Sequence, residues 1–465
     1  MPAGPGHIRD RNSVKITVSH GHGQKKYLKF KKSNFANNPT LTTVNENGSP
    51  FNRGIQHEAK HSAILSRAAK LFNTKGARST TLSDVANKLG LTKTSLYYYV
   101  KTKEDLIYQC YDTAMRHAHE TLDNVEATTE DPLERVLLFM ESQISTTLKA
   151  LAGEGDFYAA PLELASLKDE HREALIAEYL RMFTRFRSYI RDGIEQSSIR
   201  PCHSTSATRA LIGALDWSFY WLYEMPPEQA QLAGAAMRDI VSHGLFKQDA
   251  QYCPGDPLLD AEMVSPAKGF DREAQNRLKQ EAFFKAGTRF FNRKGFNGTS
   301  LDEIAEHLQV SKGAFYYHFT NKEALLTQCY EYSLDQMDAI YREINASDTS
   351  AAEKLDTACR QVFHIQNSDL GPLIRYNTIT ALPPPIRRRV LARTQAASDN
   401  LGEFVRQGQA SGMFRDVNAA IMQNMLEGAI NAAMDIGQWR RLEDTDKAAI
   451  EYFDVFYFGL AKSAG

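Results

Sequence analysis

The stretch KTSLYYYVKTKEDLIYQC (Lys93–Cys110) sets three consecutive tyrosines among hydroxyl and ammonium groups, and KGAFYYHFTNKEALLTQC (Lys312–Cys329) repeats the arrangement. Hydroxyl groups donate to phosphate oxygens, lysine ammonium groups neutralise them, and aromatic rings cover sugars or a thymine methyl. Such chemistry needs its groups on one exposed surface. Successive helical residues point about 100° apart, so a single buried face cannot absorb three adjacent rings, and some must face outward. No bond-making constellation competes. The sequence has no P-loop, HExxH or GxSxG pattern, and Gly21-His22-Gly23 lacks the third glycine and following helix of a dinucleotide fingerprint. His117 and His119 would diverge on a helix, and the five cysteines are scattered without a CxxC pair. An enzyme, a metal site and a cofactor are therefore not expected.

The elements that position these groups come in duplicate. Phe72–Tyr111 aligns without gaps on Phe291–Tyr330 at an offset of 219, with 17 of 40 positions identical. Fainter matches follow: Ile190–Arg200 against Val405–Arg415, with Gly193 opposite Gly408 and Arg200 opposite Arg415, and Gly244-Leu245 opposite Gly459-Leu460. One two-part unit of about 200 residues is repeated, joined by the Pro- and Gly-rich Gln251–Phe270. Apolar residues recur three and four apart in LERVLLFMESQISTTLKAL and EALIAEYLRMFTRFRSYI, and no alternating run of strand length appears, so the fold is expected to be all-α. No stretch approaches the roughly 18 apolar residues of a membrane span, and the opening residues lack a signal peptide's apolar core. A cytoplasmic protein without a membrane partner is expected.

Within each repeat a first helix carries Ala68, Ala69, Leu71 and Phe72 on one face and ends at Lys75-Gly76. Thr81–Asp84 opens a second helix as a capping box, and Ser300–Glu303, with the preferred Glu, is expected to form the better copy. Gly90 breaks the second helix, Thr92 caps the next, and Lys93–Val100 is read as a third. Two short helices joined by a tight turn make a helix-turn-helix, whose second member enters the major groove. Leu96 and Val100 then pack inward, leaving Tyr97 and Tyr98 outward beside Lys93, Thr94 and Ser95, while Lys103 adds a cation at a helix N-terminus.

Both segments resemble the DNA-binding domain of tetracycline-repressor (TetR) family regulators. The first meets that pattern with Leu71, Phe72, Gly76, Thr80, Thr81, Ala86, Thr92, Lys93, Leu96, Tyr97, Tyr99, Val100, Lys103, Glu104 and Leu106. It departs at Thr94, where the family prefers glycine; the second has Gly313 there. By resemblance, base-reading residues are Lys93, Thr94, Ser95 and Tyr97, with Lys312, Gly313, Ala314 and Tyr316. Implied backbone contacts are Thr81, Tyr98, Tyr99 and Lys103, with Ser300, Tyr317, His318 and Lys322. The resemblance also implies a double-stranded DNA operator, a small-molecule effector, and residence on the bacterial nucleoid when bound.

The expected order is a largely disordered basic tail (1–55), a first helix-turn-helix head (56–116), a first helical effector and dimerisation domain (117–248), a linker (249–270), a second head (271–335) and a second helical domain (336–465). Family members are homodimers, and two heads in one chain can build that arrangement internally. An intrachain pseudo-dimer is expected, with Ala207–Tyr223, Gln229–Gly244, Ala419–Trp439 and Thr445–Leu460 as its interface; higher homo-oligomers stay open. The heads are unequal: His57–Asp105 holds nine Lys or Arg against four acids, +5, whereas Asp271–Glu323 holds nine against seven, +2. An operator with dissimilar half-sites follows. The alternative is that only the first head reads DNA and the second unit serves dimerisation or sensing. Trp217, Tyr220 and Trp221 are read as interface residues or, less so, pocket residues. Leu382-Pro383-Pro384-Pro385 is expected to kink a helix and alter the second pocket.

Overall fold

A computed structural model describes residues 15–18, 26–29, 52–161, 164, 167–247, 272–368 and 371–462. The chain divides into Met1–Lys60 and His61–Gly465. In the first unit β1 (Lys15–Val18) pairs antiparallel with β2 (Lys26–Lys29), Ile16 opposite Leu28. No regular element was expected in this tail. Both runs are short; Ile16, Thr17 and Val18 of the first and Tyr27 of the second are residue types that favour strands. Residues 52–55 of the expected tail belong to the helix Asn52–Lys75; the rest of the tail and the linker Gln251–Phe270 lie outside the described residues.

The larger unit is all-α. Its first copy comprises α1 (Asn52–Lys75, which begins in the smaller unit), α2 (Leu82–Lys88), α3 (Lys93–Leu96), α4 (Lys103–Thr128), α5 (Pro132–Ala152), α6 (Asp169–Glu195), α7 (Ser204–Glu224), α8 (Pro227–Ala230) and α9 (Ala233–His243). The second repeats the order as α10 (Arg272–Gly298), α11 (Leu301–His307), α12 (Lys312–His318), α13 (Lys322–Ala346), α14 (Ala351–Gln366), a 3₁₀ segment (Tyr376–Ala381), α15 (Pro384–Ala410), α16 (Ala419–Ala432), α17 (Ile436–Trp439) and α18 (Thr445–Phe458). The α3 helix is shorter than the expected Lys93–Val100: it stops at Leu96, and Tyr97–Tyr99 continue as turns, with the Tyr99 N–H donating to the Leu96 carbonyl. The prolines do not kink a helix. Pro383 precedes α15 and Pro384 and Pro385 begin it, where the first amides have no intrahelical acceptor and proline's missing N–H costs nothing.

Among the described residues three cores hold this unit. Each head has its own, built around Phe72, Leu96 and Val100 in one copy and Phe291, Phe315 and Phe319 in the other. The third runs without interruption through both helical domains. At its centre α7 and α16 touch backbone to backbone. A Cβ added to Gly213 would lie 2.3 Å from the Ala432 Cβ, and one added to Gly428 would lie 2.6 Å from the Trp217 Cβ. These two contacts are the same contact seen from either copy, because the helical domains align at an offset of 215.

The fainter sequence matches acquire a structural reason here. Arg200 donates from Nε to the Gly459 carbonyl at 2.7 Å and pairs with Asp454 at 2.6 Å. Arg415 donates to the Gly244 carbonyl at 2.6 Å and pairs with Asp239 at 2.6 Å. Each copy's arginine thus clamps the end of the other copy's last helix. Ile199 bridges Ala461, and Phe246 bridges Phe414, in the same exchange. Gly244 and Gly459 cross with φ near +70° (70° and 68°), and a Cβ on either would fall within 2.6 Å of the other's backbone nitrogen. Only glycine satisfies both demands at once.

Candidate nucleic-acid interface

In the first head the Thr81 hydroxyl accepts from the Asp84 N–H at 3.0 Å and Asp84 accepts from the Thr81 N–H at 2.8 Å, a complete capping box. The bonds that its carboxylate accepts from the Thr81 N–H and hydroxyl hold the Asp84 carboxyl below its usual range. The Ser300 copy, expected to be better, forms no side-chain cap. Its Glu303 reaches Lys294 at 2.7 Å instead. Lys75 occupies the matching place in the first copy, but the shorter Asp84 folds back onto Thr81. The extra methylene that favours Glu in a capping box here lets it reach a competing cation.

Thr92 caps α3 by accepting from the Ser95 N–H at 3.1 Å. Leu96 and Val100 are fully buried, while Tyr97 and Tyr98 are 46% and 77% exposed. Lys93, Thr94 and Ser95 are exposed on the turn before them. Tyr99 is half-buried, its ring lying parallel to His61 at 6.2 Å and edge-on to Tyr98. The three tyrosines thus divide into two that face outward and one that packs. In the second head Ser311 caps α12 by accepting from the Ala314 N–H. Phe315 and Phe319 anchor it, Tyr316 and Tyr317 are 44% and 86% exposed, and the His318 ring lies 5.2 Å from Phe283. A Cβ added at Gly313 would meet nothing within 4 Å.

The two surfaces differ in charge beside α3 and α12. Lys312 pairs with Asp302 at 2.6 Å, and the Tyr316 hydroxyl donates to the same carboxylate at 3.3 Å. The bond from Lys312 pulls the Asp302 carboxyl down, and Asp302 pushes the Lys312 ammonium up. Ser83 holds the matching place in the first head, where Lys93 sits 5.7 Å from the centre of the Tyr97 ring and forms no ion pair with a described residue. Lys103 and Lys322 are turned inward: Lys103 donates to the Arg78 carbonyl at 2.6 Å, and Lys322 to those of Phe296 and Thr299, both at 2.9 Å. They staple the turn after each head's first helix, which in the second head opens within α10 at the non-helical Gly295 (φ 64°), an assignment that spacing alone did not reveal.

Sequence reasoning also missed a contact between heads. The Arg78 guanidinium lies 3.9 Å from the centre of the Phe296 ring and 3.8 Å from Glu323, and the Ser79 hydroxyl donates to the Thr380 carbonyl at 3.3 Å. Trp217, Tyr220 and Trp221 pack at the junction of the copies. Trp217 and Tyr220 lie 4.8 and 6.0 Å from Tyr376 by ring centres, Trp221 is buried in the shared core, and none of the three lines either helical-domain cavity.

Two sequence profiles each match this chain twice: "Bacterial regulatory proteins, tetR family" over residues 64–110 and 283–329, and "Tetracyclin repressor-like, C-terminal domain" over 129–245 and 348–439. The chain belongs to the TetR family. It is a tandem member, with the head and helical-domain pair present twice. Among its relatives, the uncharacterized HTH-type transcriptional regulator YerO of Bacillus subtilis is 43% identical over 70 residues, 14% of this chain and 24% of YerO. The chain therefore spans about a quarter of the length of such curated relatives. The HTH-type transcriptional repressor KstR2 of Mycobacterium tuberculosis is 24% identical over 200 residues, 42% of this chain and 96% of KstR2. Among solved structures, the TetR family transcriptional regulator PfmR from Thermus thermophilus is 29% identical with a TM-score of 0.32, covering 38% of this chain and 95% of PfmR. Among the described residues no helix is long and apolar enough to cross a membrane.

Proposed function

We propose that this TetR-family chain is a sequence-specific DNA-binding transcriptional repressor. It places its two heads on one operator as an intrachain pseudo-dimer and is released by a small, largely apolar effector. The observation that carries this reading is the sorting of α3 and α12. Apolar residues lock each short helix down, and its hydroxyls, ammonium and outward rings are left to solvent. Lys93, Thr94, Ser95 and Tyr97, with Lys312, Gly313, Ala314 and Tyr316, read bases. Thr81, Tyr98, Tyr99 and Lys103, with Ser300, Tyr317, His318 and Lys322, hold the backbone side, the two lysines by bracing the turn beside it. The first head binds harder, because Asp302 already occupies the lysine and tyrosine of the second.

Selection of bound fragments from random DNA, followed by footprinting and a stoichiometry titration, tests the proposal. One chain per operator with two dissimilar half-sites is expected; a perfect palindrome or two chains per short site would refute it. A second reading, favoured by the Asp302 pairing, leaves DNA to the first head alone. Lys312→Ala and Tyr316→Ala separate the two, since unchanged affinity in both favours the scaffold.

A further inference from the structure

Each helical domain encloses a cavity, and the two are lined by matching positions of sequence. The first, about 140 Å³, is bounded among others by Ile212, Leu215 and Met182. The second, about 70 Å³, has Glu427, Ile430 and Ala397 at those places. One substitution stands out: a carboxylate replaces the isoleucine on the helix that forms the interface. Glu427 accepts a hydrogen bond from the Ser398 hydroxyl of α15, lies beside Asp399 of the same helix, and interacts electrostatically with Tyr341 of α13, Tyr376 of the 3₁₀ segment and Tyr220 of α7. No Lys, Arg or His among the described residues pairs with it. Burial pushes its carboxyl up to about 7.

A second, independent feature of the same wall points to what would satisfy that carboxylate. The Gln366 side chain is 6% exposed and its Oε1 has no hydrogen-bond partner among the described residues. Buried polar groups without partners are costly, and here the unpartnered atom is an acceptor. The rest of the wall is mainly apolar, with Leu334, Met337 and Leu373 among its members, although Ser333, Thr394 and Asn431 also line it. A ligand that complements this wall brings N–H donors and positive charge at one end and hydrocarbon at the other.

We propose that the second cavity binds a small amphiphilic cation, a short alkyl group ending in a protonated amine, whose N–H groups donate to Glu427 and Gln366. The ring of Tyr376 adds a π-face for the charge. On a measure in which one water takes about 10–15 Å³, the cavity accommodates roughly five to seven non-hydrogen atoms. The assignment rests on reading the helical domain as the effector site, and it makes that site selective between the two copies, since Ile212 offers no counterpart to Glu427.

Calorimetric titration of the full chain with propyl- to hexylammonium chloride, against the alkanols and alkanoates of equal length, tests it without DNA. The ammonium ions should bind at least tenfold tighter than either control series, and Glu427→Gln should erase that preference while leaving the alkanols unaffected. Gln366→Leu, which removes only the second acceptor, should weaken ammonium binding severalfold and serves if E427Q does not fold. Absence of binding by every ammonium ion, equal affinity for wild type and the folded variants, or a preference for alkanoates would overturn the proposal. Glu427-dependent binding that leaves operator affinity unchanged would uphold the cation site and sink the effector reading instead.

Discussion

Replacing Asp302 with serine, the residue at the matching place in the first head, should strengthen the second head's grip on DNA. Asp302 holds Lys312 at 2.6 Å and accepts from Tyr316 at 3.3 Å, so the pair presents no net charge and its lysine must leave a carboxylate before meeting a phosphate. Both ends are solvent-exposed, and the change is best measured as a salt dependence. Each cation that neutralises a phosphate steepens the fall of log K with log salt by about 0.9. Across a fourfold rise in salt, one added contact is a further factor of about 3.5 in affinity. Fluorescence anisotropy with a labelled operator, between about 50 and 200 mM salt, resolves that difference. The reciprocal change, Ser83→Asp, should flatten the slope by a similar amount by capturing Lys93. Identical slopes for wild type and both variants would show that neither lysine approaches the backbone and would refute the argument.

Other expected outcomes follow from the junction and the cavity. Burial pushes the Glu427 carboxyl up to about 7 from an ordinary value of 4.5, so the folded state holds the proton more tightly. Its contribution is fully present below 4.5 and is lost as pH rises to about 7, a change of about 3 kcal/mol; Glu427→Gln should flatten the pH dependence of Tm across that window. Arg200→Ala strips Asp454 of its partner, and burial already pushes that carboxyl up, so urea unfolding should show a loss of about 2–3 kcal/mol. Gly213→Ala forces a methyl group against Ala432 and should cost about 1–3 kcal/mol by the same measurement. Arg78→Ala removes a cation–π contact of about 1 kcal/mol and should widen the range of half-site spacings recovered in a binding selection.

The duplication, the helix-turn-helix and the outward tyrosines were legible because they rest on local rules: helical periodicity, caps and the impossibility of burying three adjacent rings. The errors arose where a residue had two suitors. Glu303 could cap Ser300 or reach Lys294, and spacing does not rank the two. The prolines could interrupt α15 or begin it, which depends on where the preceding segment ends. Glu427 was overlooked because its run, MQNMLEGAI, reads as an amphipathic helix with its acid toward water. Only the packing of α16 against α7, α14 and α15 turns that face inward. Aligning the copies at 215 would have set it opposite Ile212, the one available warning. The paired arginines were visible as a match, yet their targets lie on the other copy, beyond any local pattern.

In a homodimer every substitution is printed on both sides of the dyad, so a residue at the crossing must tolerate its own image. Here the crossing of α7 and α16 sets Gly213 against Ala432 and Gly428 against Trp217, and the two halves of that handshake obey no such rule. An indole fills one side while a methyl group suffices on the other. Each position can be altered singly, and dilution cannot part the partners, because one peptide chain carries both.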